Sequence, residues 1–494
     1  MNPVIGTLGV EIDAYNLIFD GLFRNDEHGN LVPDLATRVP TQRNGDVSRD
    51  GLTVTYHLVH NAKWHDGLPV TSDDVKFTYA AIMDPRNNVV NRLPYEEFAR
   101  VDTPDRYTVV IHLRRPFAPA LTQSFTTFIQ GAIVPAHILR TVSDFNQSPF
   151  GSSPVGSGPY KLVAWHRGND MIFEVNPAYH GKVPSIRRIV WHFTPSENTI
   201  IAQLRAHEID LVDKLGVAPY AQLGAISGYA AAMGPSTLWE HLTFNTGSGP
   251  LADVRVRRAL CEGFDLREYM KIVHGIGVFG VSLQPPWTGW YDRSLRPCRF
   301  DPAHARLLLD RAGWHGGKGV RMKDGMPLQI TFGTVAGIID REQTAVMLQN
   351  CWREIGVETQ IKSFPPSMFF APAQAGGILY GGKVDVALSA LTLRSLDPSR
   401  IPFDASAMVP PAGQNAAFWR SARVDVLEQR GVGIYDEAAR RSIYDEIQQI
   451  EARELPYVVM RWWTNISIHD MRLHGLRPAP VGSLYWNVSD WTFS

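Results

Sequence analysis

Three glycines of this chain have a spacing that could hold the phosphates of a dinucleotide. Gly275, Gly277 and Gly280 form the pattern GxGxxG, which binds a dinucleotide when it joins a strand to a following helix. Here a helical pattern precedes the glycines, and the proline-rich stretch VSLQPPW follows them. Because this context does not suit a nucleotide site, we expect a glycine turn before a loop at the rim of a pocket.

Three histidines, His57, His60 and His65, lie close together in the sequence and are of a type that binds metal ions. His57 and His60 straddle the end of a predicted strand, where the alternation of side chains sends them to opposite faces. A zinc site needs ligands that converge. We therefore expect no metal ion here or at His469 and His474, and no cofactor for the chain.

Local motifs of catalysis are missing from the sequence. It holds no GxSxG elbow, no HExxH helix and no phosphate-binding P-loop. A catalytic triad dispersed along the chain leaves no local pattern, so a hydrolase stays open as an alternative to a binding protein. Recovery of a bound ligand, intact or hydrolysed, would distinguish the two classes.

The composition limits the class of protein. A single core rarely grows beyond about 250–300 residues, so 494 residues predict two or three domains. A net charge of −1 argues against a nucleic-acid-binding protein, which usually carries a basic excess. No apolar run approaches the roughly 18–20 residues of a membrane span. The first residues lack the pattern of a secretory signal, so we expect the export signal to be absent from this chain.

The three cysteines, Cys261, Cys298 and Cys351, lie far apart and lack the spacing of a metal site. Their odd number leaves at least one thiol unpaired. Buried thiols are the first interpretation, and one disulfide in an oxidising compartment is the alternative. The sequence does not decide between them.

Signals for strands and helices alternate along the chain. Residues 52–58 alternate apolar and polar side chains as a half-buried strand does, and an Asp66-Gly67 turn follows. Thr71 and Asp74 then form a capping box at a helix start. Further helices are predicted at residues 301–313, 341–354 and 435–453. The alternation predicts α/β domains with largely parallel sheets.

Seven blocks of the sequence occur in the order found in one known family. The segment IFDGLFRNDEHGNLVPDLATR has the form of that family's opening stretch, and PVGSGPYKLVAW is close to its usual VGTGPY. The chain thus resembles the family 5 bacterial extracellular solute-binding proteins, the dipeptide-, oligopeptide- and nickel-binding group. His207 departs from the pattern, because members often have glycine there at a helix end. The blocks lie at residues 18–38, 52–79, 154–165, 202–212, 241–260, 300–314 and 384–398.

The resemblance implies an α/β fold of the two-lobed periplasmic-binding-protein type, type II and peptide-binding-like, with an extra subdomain on lobe I. The solute sits between the lobes, which close over it by hinge motion. The expected divisions are residues 1–38, 155–238 and 467–494 for lobe Ia, 39–154 for the subdomain lobe Ib, and 239–466 for lobe II.

The resemblance also implies a function. The chain is expected to be the extracytoplasmic solute-binding subunit of an ABC importer, which delivers a peptide-like or other small solute to a membrane permease. We expect a monomer, periplasmic or lipid-anchored at the cell surface, with no nucleic-acid partner and no enzymatic activity. A sensor that presents its ligand to a membrane receptor is an alternative with the same fold, because the difference lies in the partner.

One expected site residue bears on the choice of solute. In peptide-binding members the stretch after a lobe II strand reads Trp-x-x-Asp, and that Asp pairs with the α-ammonium of the peptide. Aligned on the Asp-Pro of VALSALTLRSLDP, Leu391 takes the Trp position and Arg394 the Asp position. A cation there repels an ammonium and suits an anionic or acceptor-rich solute. Two alternatives remain: Asp397 binds the ammonium in a shifted alignment, or Arg394 pairs with Asp397 or faces solvent.

Aromatic and amide side chains in loops complete the expected site. Loops often carry binding residues, and ligand pockets are rich in aromatic side chains. Core packing is the alternative for each tryptophan. Family members also line the lobe I side of the cleft with residues just before the IFDGL block. These further candidates are Trp287, Trp419, Asn415, Asn245, Tyr15 and Asn16.

Overall fold

Helices and strands alternate along the chain in a computed structural model that describes residues 1–6, 9–89, 92–127, 131–223, 226–316 and 319–494. Within these ranges no helix is both long enough and apolar enough to cross a bilayer. The helices are α1 (Gly9–Ile18), α2 (Ser72–Met83), α3 (Leu93–Glu96), α4 (Ala120–Gln123), α5 (Ala136–Leu139), α6 (Glu197–Arg205), α7 (Val217–Leu223), α8 (Val254–Glu262), α9 (Leu266–Ile272), α10 (Pro302–Arg311), α11 (Ile339–Glu354), α12 (Pro366–Phe369), α13 (Ile401–Asp404), α14 (Ala422–Val432) and α15 (Glu437–Glu454).

The strands form one large sheet and several small ones. The large sheet has the order β14-β13-β15-β10-β16-β9, and two three-stranded sheets have the orders β3-β5-β4 and β6-β7-β8. The strands are β1 (Phe23–Asn25), β2 (Leu31–Pro33), β3 (Thr53–His57), β4 (Phe98–Asp105), β5 (Thr108–Leu113), β6 (Tyr160–His166), β7 (Asp170–Val175), β8 (Arg188–His192), β9 (Leu211–Val212), β10 (Tyr229–Phe244), β11 (Met322–Lys323), β12 (Met326–Pro327), β13 (Gln329–Val335), β14 (Glu358–Phe364), β15 (Val386–Thr392), β16 (Tyr457–Asp470), β17 (Leu473–His474) and β18 (Thr492–Phe493).

Two long antiparallel strands, β10 and β16, join the parts of the molecule. Their first stretch pairs Tyr229 with Asp470 through to Pro235 with Thr464. The ladder is then irregular until Trp239 meets Trp462. From Leu238 onward β10 also pairs with β15. Near its C-terminal end, β16 pairs with β9 through Ile468 and His469. The two strands therefore run side by side from one part of the molecule into the other.

Three large apolar cores lie along these strands. The first core is built from α1, β3, β5, β6 and β7, together with the C-terminal turn Leu484–Asp490, so both ends of the chain pack in it. The second core lies between helices α8 to α11 and strands β13 and β15. The third core packs α14 and α15 against Trp239 of β10 and Trp462 of β16. Segments far apart in sequence thus share one core.

Local sequence signals mark the helix starts. The backbone N–H of Thr71 donates to the Asp74 carboxylate (2.8 Å) before α2, which confirms the predicted capping box. Helix α10 begins after Asp301, whose carboxylate accepts from the His304 N–H at 2.9 Å. His207 follows the end of α6 and has a left-handed φ of 57°, so a histidine occupies a conformation that favours glycine.

The glycine-rich turn after α9 leads into a loop and not into a helix. Gly275 and Gly277 have φ values of 72° and 120°, and a Cβ on Gly277 would lie 2.9 Å from the Trp462 carbonyl oxygen. Val278 forms a bridge with Trp462, which holds the turn against β16. The structure confirms the glycine turn predicted in place of a nucleotide site.

One disulfide lies in the second half of the chain. Cys261 at the end of α8 is bonded to Cys298 in the loop before α10. Cys351 on α11 is a free, partly buried thiol. Of the two interpretations left open by the sequence, the structure favours the disulfide.

Candidate functional site

A cavity of about 410 Å³ lies where the region around β4 and β5 faces the loop after β15. This volume falls within the range of pockets that bind small solutes. One wall consists of side chains from residues 92–123, and the other of side chains from residues 393–414. The polar side chains of the lining are Arg92, Glu96, Gln123, Arg394, Ser395, Ser399, Arg400 and Gln414.

Arg394 lines this cavity and is a partly buried cation. Strand β15 positions it, because the Leu393 N–H donates to the Thr237 carbonyl of β10 at 3.0 Å and fixes the chain just before it. Burial lowers the pKa of Arg394, and the neighbouring Tyr380 opposes that shift. Within the described ranges, its guanidinium makes no hydrogen bond or ion pair. The cavity therefore offers an unpaired donor group.

The other two arginines at the cavity are fully engaged by the fold. Arg92 donates to four backbone carbonyls, one in the last turn of α2 and three in the segment that follows it. Arg400 is buried, and it donates to the carbonyls of Leu283, Asp397 and Ser399 and to the Gln284 amide oxygen. Their charge remains, but their donors are unavailable to a solute without rearrangement.

Glu96 brings an opposite charge to the other wall. It ends α3, is exposed, and has a backbone carbonyl that accepts from Arg114 at 3.0 Å. Its carboxylate has no ion-pair or hydrogen-bond partner among the described residues. Unpaired groups of opposite charge thus face one cavity, Glu96 on one wall and Arg394 on the other.

Asp397 is not free to meet a solute. It is 4% exposed, and both of its carboxylate oxygens accept from Arg440 of α15 at 3.0 Å. Its backbone N–H also donates to the Ser395 hydroxyl. Asp397 therefore braces the loop that carries Arg394, and it pairs with Arg440, not with Arg394.

The predicted aromatic and amide residues lie within the protein's own packing. Trp419 is 3% exposed, and its indole N–H donates to Glu454 at 2.6 Å. Leu391 and Trp287 pack against the third core. The buried Asn415 amide donates to the carbonyls of Ala405 and Trp419. None of these four side chains is part of the cavity lining described above.

Three more predicted residues make short-range contacts in turns and helices. The Asn245 side-chain oxygen accepts from the Gly247 N–H at 3.1 Å. The Tyr15 hydroxyl donates to the Asn2 carbonyl at 3.2 Å, and the Asn16 amide donates to the Ile12 carbonyl at 3.0 Å. These contacts stabilise local structure and lie apart from the cavity lining.

The three clustered histidines do not converge. His57 contacts Asp46 at 3.2 Å, whereas His60 stacks on Tyr107 with ring centroids 4.3 Å apart. His65 is hydrogen-bonded to the backbone at residues 156 and 158, and burial lowers its pKa to about 4. The arrangement agrees with the expectation that they share no metal ion.

A group of buried carboxyls supports the cavity wall from behind. Glu428 accepts from the Arg400 N–H and the Ser399 hydroxyl at 2.9 and 2.8 Å. Burial raises the pKa of Glu428 to about 7. Burial and the charge of Glu428 raise the pKa of Glu451 to about 8. Burial and the same neighbours raise the pKa of Asp404 well above its ordinary value. With raised pKa values, these carboxyls carry less negative charge behind the wall than ordinary carboxylates would.

The residues missed by sequence reasoning come from both sides of the cavity. Glu96 and Gln123 lie in short helical segments with no local motif, and Tyr380 and Gln414 lie in loops. No local signal in the sequence marks them, because the two walls are brought together only by the tertiary fold.

Long strands that join separate cores, with a polar cavity between facing segments, define a two-lobed solute-binding protein of the α/β class. The chain belongs to family 5 of the bacterial extracellular solute-binding proteins, whose middle-region model matches residues 30–404. Members of this family are extracellular or periplasmic proteins that bind solutes for ABC importers, and they are not enzymes.

Relatives of known name agree with this assignment. Protein XP55 of Streptomyces lividans is 27% identical over 485 residues, covering 95% of this chain and 83% of that protein. Oligopeptide-binding protein AppA of Bacillus subtilis is 24% identical, covering 99% and 89%. The crystal structure of NikZ from Campylobacter jejuni in complex with Ni(L-His) is 25% identical, with a TM-score of 0.83 and coverage of 99% and 96%.

Proposed function

We propose that this chain delivers to an ABC permease a solute that presents an anionic or acceptor-rich group to Arg394. The observation that carries the proposal is the partly buried, unpaired guanidinium at the cavity wall. A buried charge without a partner is costly. A carboxylate or phosphate of the solute would supply the missing charge and two acceptors that fit the planar guanidinium.

The same cation disfavours a solute ammonium at this wall. Two like charges about 4 Å apart repel by about 4 kcal/mol at an effective dielectric constant near 20, which is roughly three decades of affinity. Asp397 does not relieve this repulsion, because Arg440 occupies both of its oxygens. A peptide with its free N-terminus at Arg394 is therefore the disfavoured solute.

Glu96 supports a second candidate, a zwitterionic peptide-like solute. Its unpaired carboxylate faces the cavity from the opposite wall. Such a solute would place its carboxylate at Arg394 and its ammonium at Glu96. The name of the relative AppA, an oligopeptide-binding protein, is compatible with this class.

Calorimetry with matched solutes tests the proposal. We expect N-acylated and dianionic peptides to bind the wild type, and Arg394→Gln to weaken that binding by about 10–100-fold, since a hydrogen bond to a charged group is worth about 1.5–3 kcal/mol. Arg353→Gln on the exposed face of α11 removes the same charge outside the cavity lining and is the matched control.

The two candidate solute classes differ in how Glu96→Gln should affect their binding. If free-amine peptides bind and Glu96→Gln weakens them while N-acylated analogues are unaffected, the solute is zwitterionic. Tight binding of free-amine peptides that is unchanged by Arg394→Gln and by Arg394→Asp would contradict a role for Arg394.

The identity of the membrane partner distinguishes import from sensing. The importer assignment predicts that the loaded protein stimulates solute uptake by its permease in proteoliposomes and returns the solute intact, as mass spectrometry would show. A ligand sensor would bind the solute equally well without supporting uptake. We propose that the protein acts as a monomer outside the cytoplasm, in the periplasm or anchored to the cell surface by a lipid.

The cores support the proposed lobe boundaries. The clustered residues of the second and third cores all fall within residues 239–466, the proposed lobe II. The first core draws mainly on residues 1–173 and 473–491, which correspond to the proposed lobe I segments. Limited proteolysis that releases fragments ending near residues 238 and 466 would support the division.

A further inference from the structure

Outside the cavity, three potential metal ligands meet on the first core. Asp20 follows α1, Asp34 follows β2, and His180 lies in the turn after β7. One ligand atom from each residue lies within 4.8 Å of the others. The His180 ring nitrogens are each 3.8 Å from a carboxylate oxygen, Nδ1 from Asp20 and Nε2 from Asp34. Three separate segments of the chain thus converge on one point.

These side chains are almost closed off from solvent. The exposed fractions are 0% for Asp20, 3% for Asp34 and 6% for His180. Yet Asp20 Oδ2, Asp34 Oδ2 and His180 Nδ1 have no hydrogen-bond partner in the described part of the chain. The hydroxyl of the buried Ser157 lies beside Asp20, whose charged form it stabilises. Buried polar atoms are normally paired, so a group of unpaired ones needs an explanation.

Arg24 forms a hydrogen bond with one carboxylate oxygen of each aspartate and leaves the other oxygen of each without a partner among the described residues. Its Nη2 donates to Asp20 Oδ1 at 2.9 Å, to Asp34 Oδ1 at 2.7 Å and to the Tyr179 hydroxyl at 2.9 Å. The guanidinium therefore holds one oxygen of each carboxylate and leaves the second oxygen available. Two carboxylates also outnumber one guanidinium, so an additional cation would balance the buried charge.

We propose that Asp20, Asp34 and His180 bind a divalent transition-metal ion such as Zn²⁺, as a structural site distinct from the solute cavity. Zinc is bound by histidine nitrogen and carboxylate oxygen at about 2.0–2.2 Å, which brings ligand atoms to roughly 3.3–3.5 Å from each other. One ligand atom from each residue lies within 4.8 Å of the others, so a small inward shift of the side chains would bring the three atoms to this spacing. Ser157 or a water molecule would supply a fourth ligand, and Arg24 would orient the two carboxylates, as outer-shell partners do.

Metal binding by purified protein tests this site. After removal of metals with a chelator, the protein is dialysed against Zn²⁺ and its content measured, and Co²⁺ serves as a probe with visible absorption bands. We expect one ion per chain, a rise in Tm of about 5–10 °C at a hundredfold excess over Kd, and at least about tenfold weaker binding in His180→Gln and Asp34→Asn.

The matched control is His137→Gln. His137 also contacts an aspartate, Asp66, at 2.8 Å, but it lies outside the cluster. This variant should bind Zn²⁺ as the wild type does. His180→Gln leaves all Arg24 contacts in place, so it remains informative even if Asp34→Asn does not fold.

Two results would overturn the metal site. The first is a wild-type protein that takes up no Zn²⁺ or Co²⁺ at neutral pH, in which case His180 acts with Arg24 as a plain ion-pair network. The second is equal uptake by the wild type and His180→Gln, which would assign the ion to other surface groups. Neither result affects the proposed solute site, because Arg394 and Glu96 lie outside this cluster.

Discussion

At the scale of single residues, Glu428 and Glu451 link stability to pH. Each would lose its proton at about pH 4.5 in an unfolded chain, whereas burial raises the pKa to about 7 and about 8 in the fold. Between these limits the folded state holds more protons than the unfolded state. The free energy of unfolding then falls as pH rises, by about 1.4 kcal/mol per pH unit and group.

We expect the free energy of unfolding to decrease between pH 6.5 and 8, as measured by urea denaturation. The window begins at 6.5 because the buried His65 and His241, whose pKa values burial lowers to about 4 and about 3, have the opposite effect at lower pH. Above pH 6.5 the histidines of the unfolded chain lose only their remaining protons, so their opposing effect is below about 1 kcal/mol in total and smaller than the loss from the two glutamates.

Glu451→Gln isolates one contribution to this trend. It should remove about 2 kcal/mol of the decrease between pH 6.5 and 8. Glu358→Gln, an exposed glutamate on β14, should leave the slope unchanged. An identical slope in the wild type and Glu451→Gln would contradict the assignment of the proton to this group.

Single residues also show how far sequence reasoning reaches into the site. The family pattern led to Arg394, which lines the cavity. Composition and loop position led to Trp419 and Asn415, whose polar groups are bonded within the fold. Glu96 had no motif to mark it. Residue type indicates what a side chain can bind, but whether that capacity is already used depends on contacts between distant segments.

At the scale of elements, the helices were more predictable than the strands. The capping residues Thr71 and Asp301 act through contacts three residues away, so a short window of sequence contains the whole signal. The length of β10 and its switch of partners from β16 alone to β16 and β15 depend on residues more than a hundred positions away. No local periodicity contains that information.

The Cys261–Cys298 disulfide fixes α8 to the loop before α10 across a sequence separation of 37 residues. A cross-link of this loop length removes roughly 3–4 kcal/mol of chain entropy from the unfolded state. We expect the double variant Cys261→Ser, Cys298→Ser to lose about that much free energy of unfolding, measured by urea denaturation.

Cys351→Ser provides the comparison, because Cys351 is a free thiol. Its loss should cost much less than loss of the disulfide. Thiol titration of the unreduced, denatured wild type should find one free thiol per chain. Three free thiols in protein folded under oxidising conditions would argue against the bond.

At the scale of the whole molecule, solute binding should stabilise the protein against heat. A ligand at about 100 times its Kd adds about 2.7 kcal/mol, and each kcal/mol raises Tm by about 2–4 °C for units of this size. We therefore expect a Tm increase of about 5–10 °C with a binding solute, measured by differential scanning fluorimetry on a panel of N-acylated, dianionic and free-amine peptides.

Arg394→Gln should reduce this thermal shift, and Arg353→Gln should retain it. A broad panel that shifts neither Tm nor tryptophan emission would weaken the proposed solute classes. Zn²⁺ is left out of these measurements, so that a shift caused by the proposed metal site is not counted as solute binding.

The gap in the ladder between Pro235 and Trp239 has a consequence for the thermodynamics of capture. β10 and β16 pair on both sides of it, and a second irregularity lies between Glu240 and His241, so both strands lose regular pairing in the same short stretch and we expect bending there. Such a double connection restricts the relative motion of the two halves to a narrow set of orientations. If the solute bridges the two walls as proposed, fewer orientations are lost on binding, and we expect more of the contact energy at the cavity to be expressed as affinity.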